Sequence, residues 1–153
     1  MTSAMIEEPP SAAKLLLIRR FLVANGTQAE IDSGRFLQRF AMPGGALSQV
    51  ASSVSKETTF RQSFELPMNA LIKAYEKHRD TWQVEYEAHV NWEFSEEELS
   101  LIVGFLESST GKHFLEGCSR MSAYVNTNTE HLVEQIIAGA EAALRGAAGP
   151  STE

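Results

Sequence analysis

Residues 91–116 read NWEFSEEELSLIVGFLESSTGKHFLE. This stretch decides the fold class, because it carries the start, body and end of a helix in order. Ser95 is followed three residues later by Glu98, and an apolar run comes next. That is the pattern of a capping box: the Ser hydroxyl accepts from the third helical N–H, and the Glu carboxylate accepts from the N–H of the cap residue. Glu96, Glu97 and Glu98 fall in the first turn, where the positive end of the helix dipole favours anions. Phe94 and Leu99 flank the cap at the spacing of a hydrophobic staple. Leu99, Ile102, Val103 and Leu106 then follow at i, i+3, i+4 and i+7, which predicts one buried face. Ser108, Ser109, Thr110 and Gly111 close the element, with Gly111 suited to a left-handed C-terminal position. A further helix is expected from about Lys112, with Phe114, Cys118, Met121 and Val125 as its stripe.

The same residues carry a family resemblance. Phe94 and Ser95 give an aromatic and a short polar start, and Glu96, Glu97, Glu98 and Leu99 an acidic run ending in Glu-Leu. Phe105, Ser108, Gly111 and Lys112 end the apolar helix. Together they resemble the signature of the bacterial domain-of-unknown-function 2059 family. Ser109 stands where members of that family often have Pro. The likeness is clear over residues 94–112 and only general elsewhere. It implies an all-helical fold, often on exported proteins, and it implies no reaction.

Working outward, the 153 residues and a hydrophobic fraction of 43% predict one folded domain with a real core. The net charge of −7 argues against nucleic acid and against anionic membrane surfaces, because both would be bound by neutralising phosphate. Cys118 is the only cysteine, so no intramolecular disulfide forms, and a small buried or half-buried thiol is expected. No run reaches the roughly 18 apolar residues of a membrane span. The apolar stretch from Leu15 to Ala24 is split by Arg19 and Arg20, and the start lacks a basic n-region, unlike a signal peptide. The expected compartment is cytoplasmic as written, or periplasmic if a cleaved signal peptide precedes this chain.

Residues 1–10 read as a flexible tail, 11–146 as a single-domain helical bundle and 147–153 as a second tail. The fold class is all-α, with about five to seven helices in antiparallel helix hairpins. Ser11 is placed to cap a first helix carrying Leu15, Ile18 and Leu22, widened by Leu16 and Phe21. Arg19 and Arg20 are read as its solvated face. Asn25-Gly26 ends it, and Thr27 with Glu30 forms a second capping-box pattern. The next helix carries Ile31, Phe36, Leu37 and Phe40 and stops at Met42-Pro43-Gly44-Gly45. Leu47, Val50, Ala51 and Val54 fit a short helix. Pro67 suits a first helical turn, and one long helix is expected from Met68 through Leu71, Ile72, Tyr75, Trp82 and Tyr86 to Trp92. Towards the C-terminus, Asn126 to Thr129 are poor helix formers. Thr127 and Glu130 offer a third capping box, so both a break and a continuous helix with one polar turn stay open. Leu132, Ile136, Ala140 and Ala143 continue an apolar face either way.

No catalytic constellation stands out. Glu85 and His89, and His89 and Glu93, are spaced i, i+4 and can share a metal on one helix face. The plainer reading is a charged helix surface. Glu96, Glu97 and Glu98 are explained by the helix start. Trp82, Tyr86, Trp92 and Phe94 concentrate aromatics around one helix junction, where either core packing or a ligand or partner groove would use them. The leading reading is a non-enzymatic binding or interaction module without cofactor. Its partner is a protein or a small hydrophobic ligand, and a homodimer is compatible with it. The alternatives are a lipid or small-hydrophobe carrier and a metal-dependent hydrolase using Glu85, His89 and Glu93.

Overall fold

The structure, a computed structural model, describes residues 8–50 and 59–149. Its helices are α1 (Ala12–Ala24), α2 (Thr27–Ser33), a 3₁₀ turn (Arg35–Leu37), α3 (Gln38–Ala41), α4 (Phe60–Tyr75), α5 (Arg79–Glu93), α6 (Glu96–Glu107), α7 (Ser109–Asn128) and α8 (Glu130–Ala147). No strand occurs among the described residues, so the all-α class holds. The elements outnumber the expected five to seven because two expected helices are split. The contacts between helices divide the chain into two compact units, residues 1–108 and 109–153. The sequence drew no such boundary inside 11–146. The first tail and residues Ala51 and Val54 of the short helix lie wholly or largely outside the described residues.

In the first unit, α1 packs chiefly on α6 and also on α5 and α2. Ile18, Leu22, Val90 and Leu99 form the core there, with Leu17, Phe21 and Phe94 packed against it. Leu99, Val103 and Leu106 are buried, as the α6 stripe predicts. Leu16 does not widen the α1 face; it is exposed. The charged side of α1 is tied down rather than merely solvated. Arg19 Nε donates to Glu87 Oε1 at 2.9 Å and Arg20 Nε to Glu107 Oε1 at 3.0 Å. Lys14 Nζ donates to the Asn91 carbonyl at 2.8 Å, and Ser11 Oγ to Glu96 Oε2 at 2.9 Å.

The capping box of α6 forms as the sequence indicates. Glu98 N–H donates to Ser95 Oγ at 3.1 Å, and Ser95 N–H donates to Glu98 Oε2 at 2.8 Å. Hydrogen bonding from Ser95, its backbone N–H first and its hydroxyl second, holds the Glu98 carboxyl below its ordinary range. Ser95→Ala is expected to cost about 1 kcal/mol in urea unfolding. The depressed carboxyl contributes stability above its unfolded value of about 4.3, and loses it as pH falls through the folded value. Glu98→Gln should therefore flatten the acid limb of the stability–pH curve and leave the neutral-to-alkaline limb shaped as before. An acid limb that keeps its slope would remove Glu98 from that role.

Other local expectations are corrected. Thr27–Glu30 makes no box: Gly26 is the cap at φ 84°, and Thr27 N–H is taken by Asn25 Oδ1 at 2.9 Å. Glu30 instead pairs with Arg35 at 3.0 Å. The second helix breaks at Gly34, which adopts φ 66° under the ring of Tyr75. Pro67 is not in a first turn but inside α4, which begins at Phe60. The expected long helix is two, α4 and α5, separated at residues 76–78. Glu76 to Thr81 offer no apolar side chain to hold a continuous helix against the core. Gly111 is not a helix stop: α6 ends at Ser108 in extended conformation, and Gly111 lies buried in the first turn of α7.

In the second unit, α7 runs to Asn128 and α8 starts at Glu130, so the joint is the single residue Thr129. Backbone hydrogen bonds from Thr129 to Val125 and from Val133 to Thr129 keep the helical i to i−4 pattern on both sides of it. The Thr127–Glu130 box does not form. Thr127 Oγ1, Asn128 Nδ2 and Thr129 Oγ1 donate back to the carbonyls of Ala123, Tyr124 and Val125, at 3.0, 2.8 and 2.7 Å. Such back-bonding competes with the helical ladder and bends helices. Helix α8 continues through Gly146 to Ala147, beyond where fraying was expected.

Candidate functional site

Helix α5 carries most of the side chains that the sequence offers for a site. Trp82, in its first turns, stacks on Phe36 with ring centroids 5.1 Å apart and planes at 18°. Tyr75 meets both rings edge-on, at 5.3 Å from Phe36 and 6.1 Å from Trp82. The Tyr75 hydroxyl donates to the buried Ile31 carbonyl at 2.7 Å. Burial raises the Tyr75 phenol above its ordinary value. This is a locked aromatic cluster joining α4, α5 and the 3₁₀ turn. It is built around the close approach of Gly34 to the Tyr75 ring.

Phe94 lies at the other end of α5 and packs on Phe21, with centroids 5.7 Å apart. Twelve residues of helical rise separate Trp82 from Phe94, about 18 Å. The two rings therefore serve different contacts and do not line one groove. Tyr86 and Trp92 are exposed, and neither makes a ring contact among the described residues. The structure thus brings Trp82 together with Phe36 and Tyr75, and Phe94 with Phe21. It does not gather Trp82, Tyr86, Trp92 and Phe94.

Glu85, His89 and Glu93 are all exposed on α5. Among the described residues no group of three or more His, Cys, Asp or Glu is placed to hold a metal ion, this set included. The carboxylate of α5 with a built environment is Glu87. Burial pushes its carboxyl up, but hydrogen bonds from Arg19 and Gln83 outweigh that and hold it below the ordinary range. Gln83 is itself bonded to Gln28 at 2.8 Å, so this network ties α1, α2 and α5 together. Its chemistry is structural.

A cleft of about 510 Å³ opens beside α3 and α4. Ala41, Met42, Pro43 and Phe64 give it an apolar wall, with Gln38, Ser48 and Ser63 as polar groups. Its cation, Arg61, donates to Glu65 at 2.6 Å. The volume is that of an ordinary small-molecule site.

The second unit presents a different feature. Helices α7 and α8 bury no side chain; Gly111 is the buried residue of the pair. Phe114, Met121, Tyr124 and Val125 on α7 are exposed. So are Leu132, Val133, Ile136, Ile137 and Leu144 on α8, with Ile136 at 69% and Leu144 at 73%. Cys118, expected to be buried or half-buried, is exposed on the same helix system. Helical periodicity revealed that these helices have apolar stripes, but it carries no information on whether anything covers them. No protein-family model, curated protein or solved structure matches the chain.

Proposed function

We propose that this protein is a non-enzymatic helical interaction module that docks through its C-terminal helices. One observation carries the reading: α7 and α8 expose nine large apolar side chains and bury none. Large contiguous apolar surface on a folded protein marks an interaction site far more often than a solvated face. Most helical stability in proteins comes from packing an apolar face, so a partner supplies what the unit lacks. The resemblance of residues 94–112 to the domain-of-unknown-function 2059 signature belongs to this proposal, since it implies helices and no reaction.

The test separates a docking face from an interior. Trp82 and Trp92 both lie in the first unit and report its unfolding by fluorescence. Ile136→Glu is expected to leave their urea midpoint unchanged, within about 0.5 kcal/mol, as for a surface substitution. A loss of about 2 kcal/mol or more, typical of a charge placed in a core, would make the α8 face interior and end the reading.

A second reading rests on the cleft beside α3 and α4, whose size and apolar wall suit a small hydrophobic ligand. Native mass spectrometry after gentle extraction tests it. A retained mass that is lost in Met42→Glu supports a carrier, and bare chain in both proteins opposes it.

A further inference from the structure

We infer that the occupant of the α8 face is a second copy of this chain, paired with it antiparallel through α8. The inference rests on the docking reading above and names its partner.

The area is the first argument. Burying a large aliphatic side chain removes on the order of 100 Å² of apolar surface from water. The five exposed large side chains of α8 then offer about 500 Å² of apolar surface per copy, which is roughly the apolar part of one partner's ~800 Å² share of a standard stable interface.

Shape is the second. The large residues of α8, Leu132, Val133, Ile136 and Ile137, occupy its first half. Gly139, Ala140, Ala142 and Ala143 follow in the second half. A two-fold axis crossing near Ala138 sets the bulky half of each helix on the small half of the other. Ile136 of one copy then meets Ala140 of the second, and Val133 meets Ala143. A parallel pair would oppose large with large and leave the small half unfilled. An isologous contact of this kind closes on itself at two copies.

Charge is the third. Glu130 and Glu134 lie in the first half of α8, and Arg145 lies in its last turn. Arg145 is held only loosely within its own helix, 3.7 Å from Glu141. Antiparallel pairing brings Arg145 of one copy beside Glu130 of the other and opposes the two helix dipoles. Parallel pairing would set Glu130 and Glu134 against their own copies.

Sedimentation velocity and far-ultraviolet circular dichroism on the full chain, from low micromolar to sub-millimolar concentration, test this. The mass is expected to pass from monomer to dimer, with helicity rising alongside it. Ile136→Glu should weaken dimerisation roughly thirtyfold or more, as loss of a central apolar anchor does. Arg145→Glu should weaken it more mildly, and Arg145→Glu combined with Glu130→Lys should restore it. A wild-type chain that stays monomeric throughout overturns the inference, as does a dimer indifferent to Ile136→Glu. A dimer that the charge exchange fails to rescue overturns the antiparallel arrangement. These outcomes are distinct from failure of the docking reading, which appears as lost stability of the first unit in Ile136→Glu.

Discussion

Replacing Leu99 by alanine is expected to destabilise the first unit by about 2–5 kcal/mol. Leu99 has no exposed surface and sits in the cluster with Ile18, Leu22 and Val90. Truncation removes its transfer free energy and leaves a cavity between α1, α5 and α6, which the close-packed walls refill only in part. The loss is a large share of the roughly 5–15 kcal/mol by which a domain of this kind is stable. Leu101, two residues along the same helix and 73% exposed, is the control. Leu101→Ala should stay within about 0.5 kcal/mol, as surface changes do. Urea unfolding followed by tryptophan fluorescence reads both. A Leu99→Ala loss below about 1 kcal/mol would mean that the α6 stripe is not core.

Gly34→Ala is expected to cost roughly 2–4 kcal/mol, from backbone strain and overpacking together. Gly34 holds φ 66°, a left-handed conformation that penalises any Cβ. A Cβ there would also come within 2.8 Å of Tyr75 Cδ1. The ring has nowhere to go, since its hydroxyl is bonded to the Ile31 carbonyl and its edge meets Phe36 and Trp82. Gly26→Ala separates the two contributions. Gly26 has φ 84° but nothing within 4 Å of its would-be Cβ, so only the backbone penalty of about 1–2 kcal/mol applies. Equal losses in the two variants would show that contact with Tyr75 contributes nothing.

The contrast between those positions shows what could be read beforehand. The Ser95–Glu98 box and the Leu99–Val103–Leu106 stripe were legible because every group that makes them lies within one or two turns. Ser11 as a cap was legible for the same reason. Gly34 was not. Its requirement comes from Tyr75, far along the chain, so the local pattern from Ile31 to Phe40 reads as one helix. Thr27–Glu30 and Thr127–Glu130 have the spacing of boxes but lost to nearer partners: Asn25 in the first case, carbonyls one turn back in the second. On the candidate site, aromatic density along Trp82 to Phe94 included two side chains that pack, Trp82 and Phe94, but helical rise carries them to opposite ends of α5. The α8 stripe was visible as periodicity. That it is uncovered is a property of three-dimensional packing, and only the folded chain exhibits it.

The ties of α1 have a consequence for the order of events during synthesis. Its partners Glu87, Asn91, Glu96 and Glu107 lie 68 to 87 residues further along the chain. At about 5–20 residues per second, translation takes several seconds to deliver them. Helix α1, made before the other described helices, is thus among the last of them able to dock. Until α6 has left the ribosome, Ile18 and Leu22 face solvent or a chaperone. A nascent chain stalled before Glu107 should therefore be more easily cut within α1 by a protease than the finished protein. Translation speed through residues 87–107, rather than the propensity of α1 itself, then sets how long that apolar face stays open.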